Sequence, residues 1–179
     1  MRSLLWRNYW ILMRLSLQTF WLVILAAVSF PAAADTTKPE AASSGDVIMI
    51  QAAPGVYHYD PDPDHAKYSW LIGAEWLPAS RWLVGYSYFN NSFGQKSHYL
   101  YGGRWWPILE NDPHWYFKLT AGVILGYKDP YEDRIPFNKN GIGPGVVPAL
   151  GYKWDRFNIQ LNFLGTAALM VTVGYDVIR

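Results

Sequence analysis

The sequence predicts an all-β fold, an eight-stranded antiparallel up-and-down transmembrane barrel, and three observations point to it. Apolar and polar residues alternate with period two through most of the chain beyond residue 46, the pattern of strands with one apolar face. Aromatic residues form 17% of the 179 residues against 16% charged, more rings than a small core holds. The alternating segments number eight, and an even number is what a closed barrel from one bacterial chain requires. With no cysteine and a net charge of +1, the chain offers no disulfide framework, no thiolate site and no basic field for nucleic acid.

Residues 1–34 read as a secretory signal peptide, with Arg2, Arg7 and Arg14 ahead of an apolar stretch, Leu15 to Val28, and the small residues Ala32-Ala33-Ala34 at the cleavage site. The alternative is an uncleaved anchor, since Trp6 to Met13 lengthen the apolar region. Cleavage removes three basic residues and no acid, so the remaining domain is slightly acidic. Residues 35–46 (DTTKPEAASSGD) are small and polar and form a flexible periplasmic N-terminus, which leaves residues 47–179 for a single barrel domain.

The first strand falls within Val47 to Tyr59. From Lys67 to Leu77, Tyr68, Trp70, Ile72, Ala74 and Trp76 take one face, with Leu71 as the exception. Trp82, Val84, Tyr86 and Tyr88 alternate with Leu83, Gly85 and Ser87, and Tyr99, Tyr101 and Trp105 are placed outward against His98, Leu100, Gly102 and Arg104. Trp115 to Tyr127 alternates throughout, followed by Val146 to Trp154, Phe157 to Phe163 and Leu169 to Val177. Rings at both ends of the outward registers, such as Tyr68 with Trp76 and Tyr99 with Trp105, suit the two headgroup levels of a bilayer. The opposite face carries Glu75, Arg104 and Lys118, with Asn158, Gln160 and Asn162, as an interior of paired charges and amides. A soluble lipocalin-like cup is the alternative, but it would have to bury nearly all the Trp and Tyr.

Short connections at Pro78 to Ser80, Pro107 to Pro113 and Asp155-Arg156 belong on the periplasmic side, which also holds both termini. The segments Asp60 to Ala66, Asn90 to Lys96 and Lys128 to Gly141 then face outward. They gather His58, His65 and His98 at one rim with Ser92, and a serine beside a histidine from a neighbouring loop is a nucleophile and base for acyl transfer. Asn91, His98, Asn138 and Asn140 are candidates for holding the substrate. The bland alternative is a set of ordinary polar loop tips. Asp60, Asp62 and Asp64, on a backbone stiffened by Pro61 and Pro63, could hold a divalent cation that bridges lipopolysaccharide phosphates, or could be a solvated acidic loop. No other cofactor is expected, and a monomer in contact with outer-membrane lipids and lipopolysaccharide, not nucleic acid, is the expected state. Pro148 lies inside an outward-facing strand, Pro144 just before it and Pro54 within the first, and they either open a lateral gap in the wall or mark a strand that starts only after Pro148.

Leu119-Thr120-Ala121-Gly122-Val123, Val146-Val147-Pro148-Ala149-Leu150-Gly151-Tyr152 and Phe89-Asn90-Asn91-Ser92 resemble motifs of the lipid A palmitoyltransferase family of outer-membrane barrels. The last stands where the family has Phe-Lys-Asp-Ser, so Ser92 matches the catalytic serine and Asn91 replaces the Asp. Pro54 stands near the place of the family's histidine, with His58 four residues on. The resemblance implies transfer of a palmitoyl chain from a phospholipid to lipid A, with the phospholipid entering through a gap in the wall and its chain measured in an apolar barrel core. The chain is also similar to small outer-membrane proteins labelled sn-glycerol-3-phosphate transporter. The rivals to an enzyme are therefore a barrel that binds or passes a small solute, and a structural barrel that binds lipopolysaccharide.

Overall fold

A computed structural model describes residues 45–66 and 68–179; the expected leader and the tail up to residue 44 lie outside them. The strands are β1 (Val47–Ala53), β2 (Tyr57–His58), β3 (Trp70–Leu77), β4 (Trp82–Asn90), β5 (Lys96–Leu109), β6 (Asp112–Leu125), β7 (Ile142–Trp154), β8 (Phe157–Leu164) and β9 (Ala168–Ile178). From β3 to β9 each pairs antiparallel with the next, β1 pairs with β3, and β1 also pairs with β9, so the sheet closes. The first stave is broken. Its ladder to β9 stops at Ala52↔Val173 and resumes at Tyr57↔Leu169, because Pro54 has no amide donor to continue it. Counting β1 and β2 as one stave, the protein is an eight-stranded antiparallel β-barrel.

Three connections at one end are tight, including the two residues Glu110 and Asn111 between β5 and β6. Those two strands run further than the alternation indicates and take Pro107 and Pro113 into the hairpin, with a bulge between Pro107 and Leu109. The longer connections lie at the opposite, loop end, where Glu132–Arg134 forms a 3-10 turn. The first and last strands both point their free ends to the tight-turn end, where Ile48 pairs with Ile178.

On β5 the faces are the reverse of the sequence expectation. Tyr99 and Tyr101 are buried in the lumen (8% and 5% exposed), whereas Leu100 is on the outer surface (57%). Arg104 is outward too, not interior: it pairs with exposed Trp82 and lies over the rings of Trp82 and Trp106. The reason is packing inside the barrel. The Tyr101 ring occupies the space that a Cβ on Gly85 of β4 would take, and Tyr116 does the same over Gly151 of β7. Tyr101 and Tyr116 thus face the lumen of so narrow a barrel where a neighbouring strand carries a residue without a side chain.

The lumen is polar over much of its height. Lys118 and Glu75 form a buried ion pair at 2.7 Å, joined by Tyr101 Oη, which donates to the same carboxylate oxygen at 2.9 Å. Gln51, Asn158, Gln160, Asn162 and Thr172 are buried around and beyond it. A buried pair of this kind is costly to break, roughly 3–5 kcal/mol if one partner is lost, since the remaining charge is stranded. Leu83, Tyr99 and Tyr101 fill the middle with Phe89, Ile124 and Val147 against them. This is not the apolar core, open to a fatty chain, that the family resemblance implies. Outside, large apolar residues stand exposed on every stave, among them Ile50, Ile72, Val84, Leu100, Val123 and Val171, with Arg104 and His98 as polar residues on the outer face of β5.

β7 does not begin after Pro148. It pairs with β6 from Leu125↔Ile142 to Trp115↔Tyr152, but with β8 only from Ala149↔Asn162 onward. Among the described residues the edge from Gly143 to Pro148 thus has no strand partner on its β8 side, Ile142 being bridged to Lys139, and Pro144 and Pro148 are admitted there because an edge tolerates missing donors. The wall is notched beside β7.

Candidate functional site

The loop-end rim over β2, β3 and β4 brings a serine and a histidine together. His58 is fixed because β2 rejoins β9 after the Pro54 break, with His58 opposite Ala168 and the Tyr59 amide donating to the Ala167 carbonyl at 3.0 Å. Ser92 lies two residues past the end of β4. Its loop is shaped by Asn91, whose Oδ1 accepts from the amides of Phe93 (3.0 Å) and Gln95 (2.9 Å) and whose Nδ2 donates to Ser97 Oγ at 3.1 Å. A short side chain that satisfies its own turn's donors is the usual means of holding such a bend. Ser92 Oγ and His58 Nε2 are 2.7 Å apart, 34 residues distant in sequence.

His65 completes the group. Its ring lies against that of His58 with centroids 3.9 Å apart, and its Nδ1 accepts the Asp62 amide at 3.2 Å, which puts any single ring proton on Nε2. The loop that carries it is tied to the nucleophile's own turn, since the Ala66 amide donates to the Ser92 carbonyl at 2.7 Å. Partial burial, and then the adjacent His65, hold the His58 pKa below the ordinary 6.5. His58 is therefore a neutral imidazole at neutral pH, able to take a proton from Ser92. Among the described residues no carboxylate is hydrogen-bonded to His58.

Three residues that the alternation gave no reason to single out enclose this centre. Phe93 packs edge-on to His65 with centroids 5.3 Å apart and stacks on Tyr131 at 4.1 Å. Arg134 lies over the Phe93 ring at 5.0 Å and reaches Asp62 at 3.4 Å. Tyr131 and Arg134 come from the third outer loop, so three loops meet here. Contacts between residues so far apart leave no local signature in a sequence. A basic residue, Arg134, directly after the acidic stretch Asp129 to Asp133 was the available hint.

Several candidates lie elsewhere. Asn91 is 2% exposed and its amide is taken up by the turn, so it is a scaffold and not a substrate contact. His98 is on the outer wall, 2.6 Å from Tyr86 Oη, and does not join the other two histidines. Asn138 braces its own loop by donating to the Tyr127 and Glu132 carbonyls at 2.7 and 3.0 Å, and Asn140 is an exposed turn residue with φ of 53°. Asp60, Asp62 and Asp64 do not converge: one oxygen of Asp62 accepts the Asp64 amide, the other faces Arg134. Among the described residues no group of three or more acidic or histidine side chains is arranged to hold a metal ion. The Asp62 carboxyl is lowered below the usual carboxylate range, first by the Asp64 amide and also by Arg134.

A second concavity opens at the tight-turn end, with a volume of about 210 Å³, lined by Glu75, Trp105, Lys118 and Lys153. Glu75 Oε2 and Trp105 Nε1 border it and have no hydrogen-bond partner among the described residues. No protein-family model and no curated protein matches the sequence of this chain.

Proposed function

We propose that the protein is an outer-membrane barrel that moves an acyl chain from a phospholipid to lipid A at its loop-end rim, with Ser92 as nucleophile and His58 as its base. The single observation that carries the chemistry is the 2.7 Å approach of Ser92 Oγ to His58 Nε2. The membrane location is supported by apolar side chains standing exposed all round the barrel while the charges pair inside. The choice of lipid A as acceptor rests on the resemblance of Phe89 to Ser92 and Val146 to Tyr152 to the palmitoyltransferase motifs.

In the first half-reaction Ser92 Oγ bonds to the ester carbonyl carbon and its proton passes to His58 Nε2. The tetrahedral adduct collapses, the bond to the glycerol oxygen breaks, and that oxygen leaves with the proton from His58. A lipid A hydroxyl then gives its proton to His58 and attacks the acyl-Ser92 carbonyl, and Ser92 leaves protonated. One ester is broken and one is formed, so the exchange uses no oxidant, reductant or nucleotide. Expression in cells lacking their own acyltransferase should add the mass of one acyl chain to lipid A, and Ser92→Ala should lower that transfer by about 10⁴-fold or more. Unmodified lipid A in cells that hold the folded protein, or full transfer by Ser92→Ala, would overturn the proposal.

The concavity at Glu75 and Trp105 favours a second reading, a barrel that binds a small polar solute from the tight-turn side. Tyr99 and Tyr101 stand between it and the rim, which supports binding over passage. Liposomes carrying the protein should then not swell in small phosphorylated solutes, and rapid swelling would instead favour a transporter.

A further inference from the structure

The polar, filled lumen leaves the acyl chain of a lipid ester at Ser92 without a place inside the barrel. We infer that this chain lies outside it, in an apolar groove on the outer face of β1 and β3, directly below the Ser92 and His58 centre. The inference rests on the acyl-transfer reading above and specifies how the donor phospholipid is held.

The groove follows from the register. Two cross-strand rows run over this part of the outer face: Val173, Ala52, Ile72 and Tyr88 in the upper, Tyr175, Ile50, Ala74 and Tyr86 in the lower. Each row has a ring or branched chain at its sides and an alanine beside an isoleucine in the middle, Ala52 with Ile72 and Ala74 with Ile50, so the two alanines leave a diagonal depression walled by Tyr86 and Tyr88 on one side and Val173 and Tyr175 on the other. It measures about 520 Å³. Apolar groups line it almost throughout, which suits a hydrocarbon chain and offers nothing to a headgroup.

Its position connects it with the chemistry. The groove ends upward at Ala52↔Val173, where the first stave leaves the sheet, and the next paired residues are Tyr57 and Leu169, beside His58. That interval is four residues of strand, about 13 Å. The Pro54 to Val56 break therefore lies between the top of the groove and the histidine. On the β4 side Tyr88 lies four residues before Ser92. An ester with its chain in the groove carries its carbonyl to the level of the rim, and the break lets it approach Ser92 from the lipid side.

The lumen cannot serve instead. Glu75, Lys118, Gln51, Asn158 and Gln160 would each have to give up a buried partner to a hydrocarbon, which costs far more than the chain gains.

The full-length protein in vesicles of phosphatidylethanolamine and phosphatidylglycerol, doped with a phospholipid bearing a diazirine at the end of one acyl chain, provides the test. Photolysis should concentrate crosslinks on β1 and β3 over the equally exposed outer face of β6 and β7, and A52F combined with A74F should remove that excess. Crosslinks spread evenly round the barrel, or an excess unchanged in the filled variant, would overturn the groove. Turnover of nitrophenyl esters ties the groove to the site: the filled variant should keep butyrate hydrolysis and lose about tenfold on palmitate, as expected if roughly two methylenes lose their contacts. Palmitate turnover unchanged beside butyrate would separate the groove from catalysis. Failure of Ser92 to react with a fluorophosphonate, with the crosslink excess intact, would sink the acyl-transfer reading and leave a lipid groove.

Discussion

His58 depends on its neighbours more than on its own loop. A neutral imidazole is the working base, so activity is present above the His58 pKa and lost as pH falls through it. Burial and the like-charged neighbour both depress that pKa. In His65→Asn the second cause disappears and the first remains. The acidic limb of kcat/KM should therefore move to higher pH, yet stay below the ordinary histidine value of 6.5. A pH-rate profile checks this, and an unmoved limb would assign the whole shift to burial. Asn91 has a different kind of importance. It stands where the resembling family has an acid, but its contacts are those of a turn-former, so the serine is held in place by a residue that takes no part in the chemistry.

Among the elements, β4 and β5 are matched by a glycine and a tyrosine across the ladder, Gly85↔Tyr101. Any Cβ at Gly85 meets the ring. Gly85→Val should destabilise the barrel by about 1–3 kcal/mol, as overpacking usually does, and Gly85→Val with Tyr101→Leu should recover part of it. Unfolding in urea, followed by the gel mobility of the folded form, measures both. Most staves were legible in the sequence because lipid-type and lumen-type residues alternate, and Trp115 to Leu125 needed nothing more. β5 was not, because both its faces carry rings: Tyr99, Tyr101 and Trp105 on one, Trp106 with Leu100 and Ile108 on the other. The choice between them rests on Gly85, a residue of another strand. At the site, Ser92 and His58 were legible as residue types, whereas the enclosure by Phe93, Tyr131 and Arg134 depends on how three loops close over the rim.

For the molecule as a whole, placement in a bilayer has a consequence that burial alone lacks. Leu100 faces outward at mid-height on β5, opposite Val123 on β6. In lipid vesicles Leu100→Arg should cost about 2–4 kcal/mol, the depth-dependent penalty for a cation on a lipid-facing wall. An exposed surface leucine in water would cost almost nothing. Urea unfolding from vesicles distinguishes the two, and a negligible loss would remove the barrel from the membrane.

The staves also differ in height. β1, β3 and β4 have 7, 8 and 9 residues, while β5 and β6 have 14 each, a difference of about 15 Å or more of strand before tilt. A bilayer around such a wall cannot match both sides, and it accommodates a short side by thinning. The surplus lies at the tight-turn end: β3, β4 and β5 end in register at the loop end, Trp70↔Asn90↔Lys96, whereas β5 runs on past Trp82↔Arg104 to Leu109. Lipids of the tight-turn leaflet beside β3 and β4 would therefore be drawn closer to the midplane than those beside β5 and β6, while the leaflet that faces Ser92 and His58 meets strand ends in register from β3 to β5.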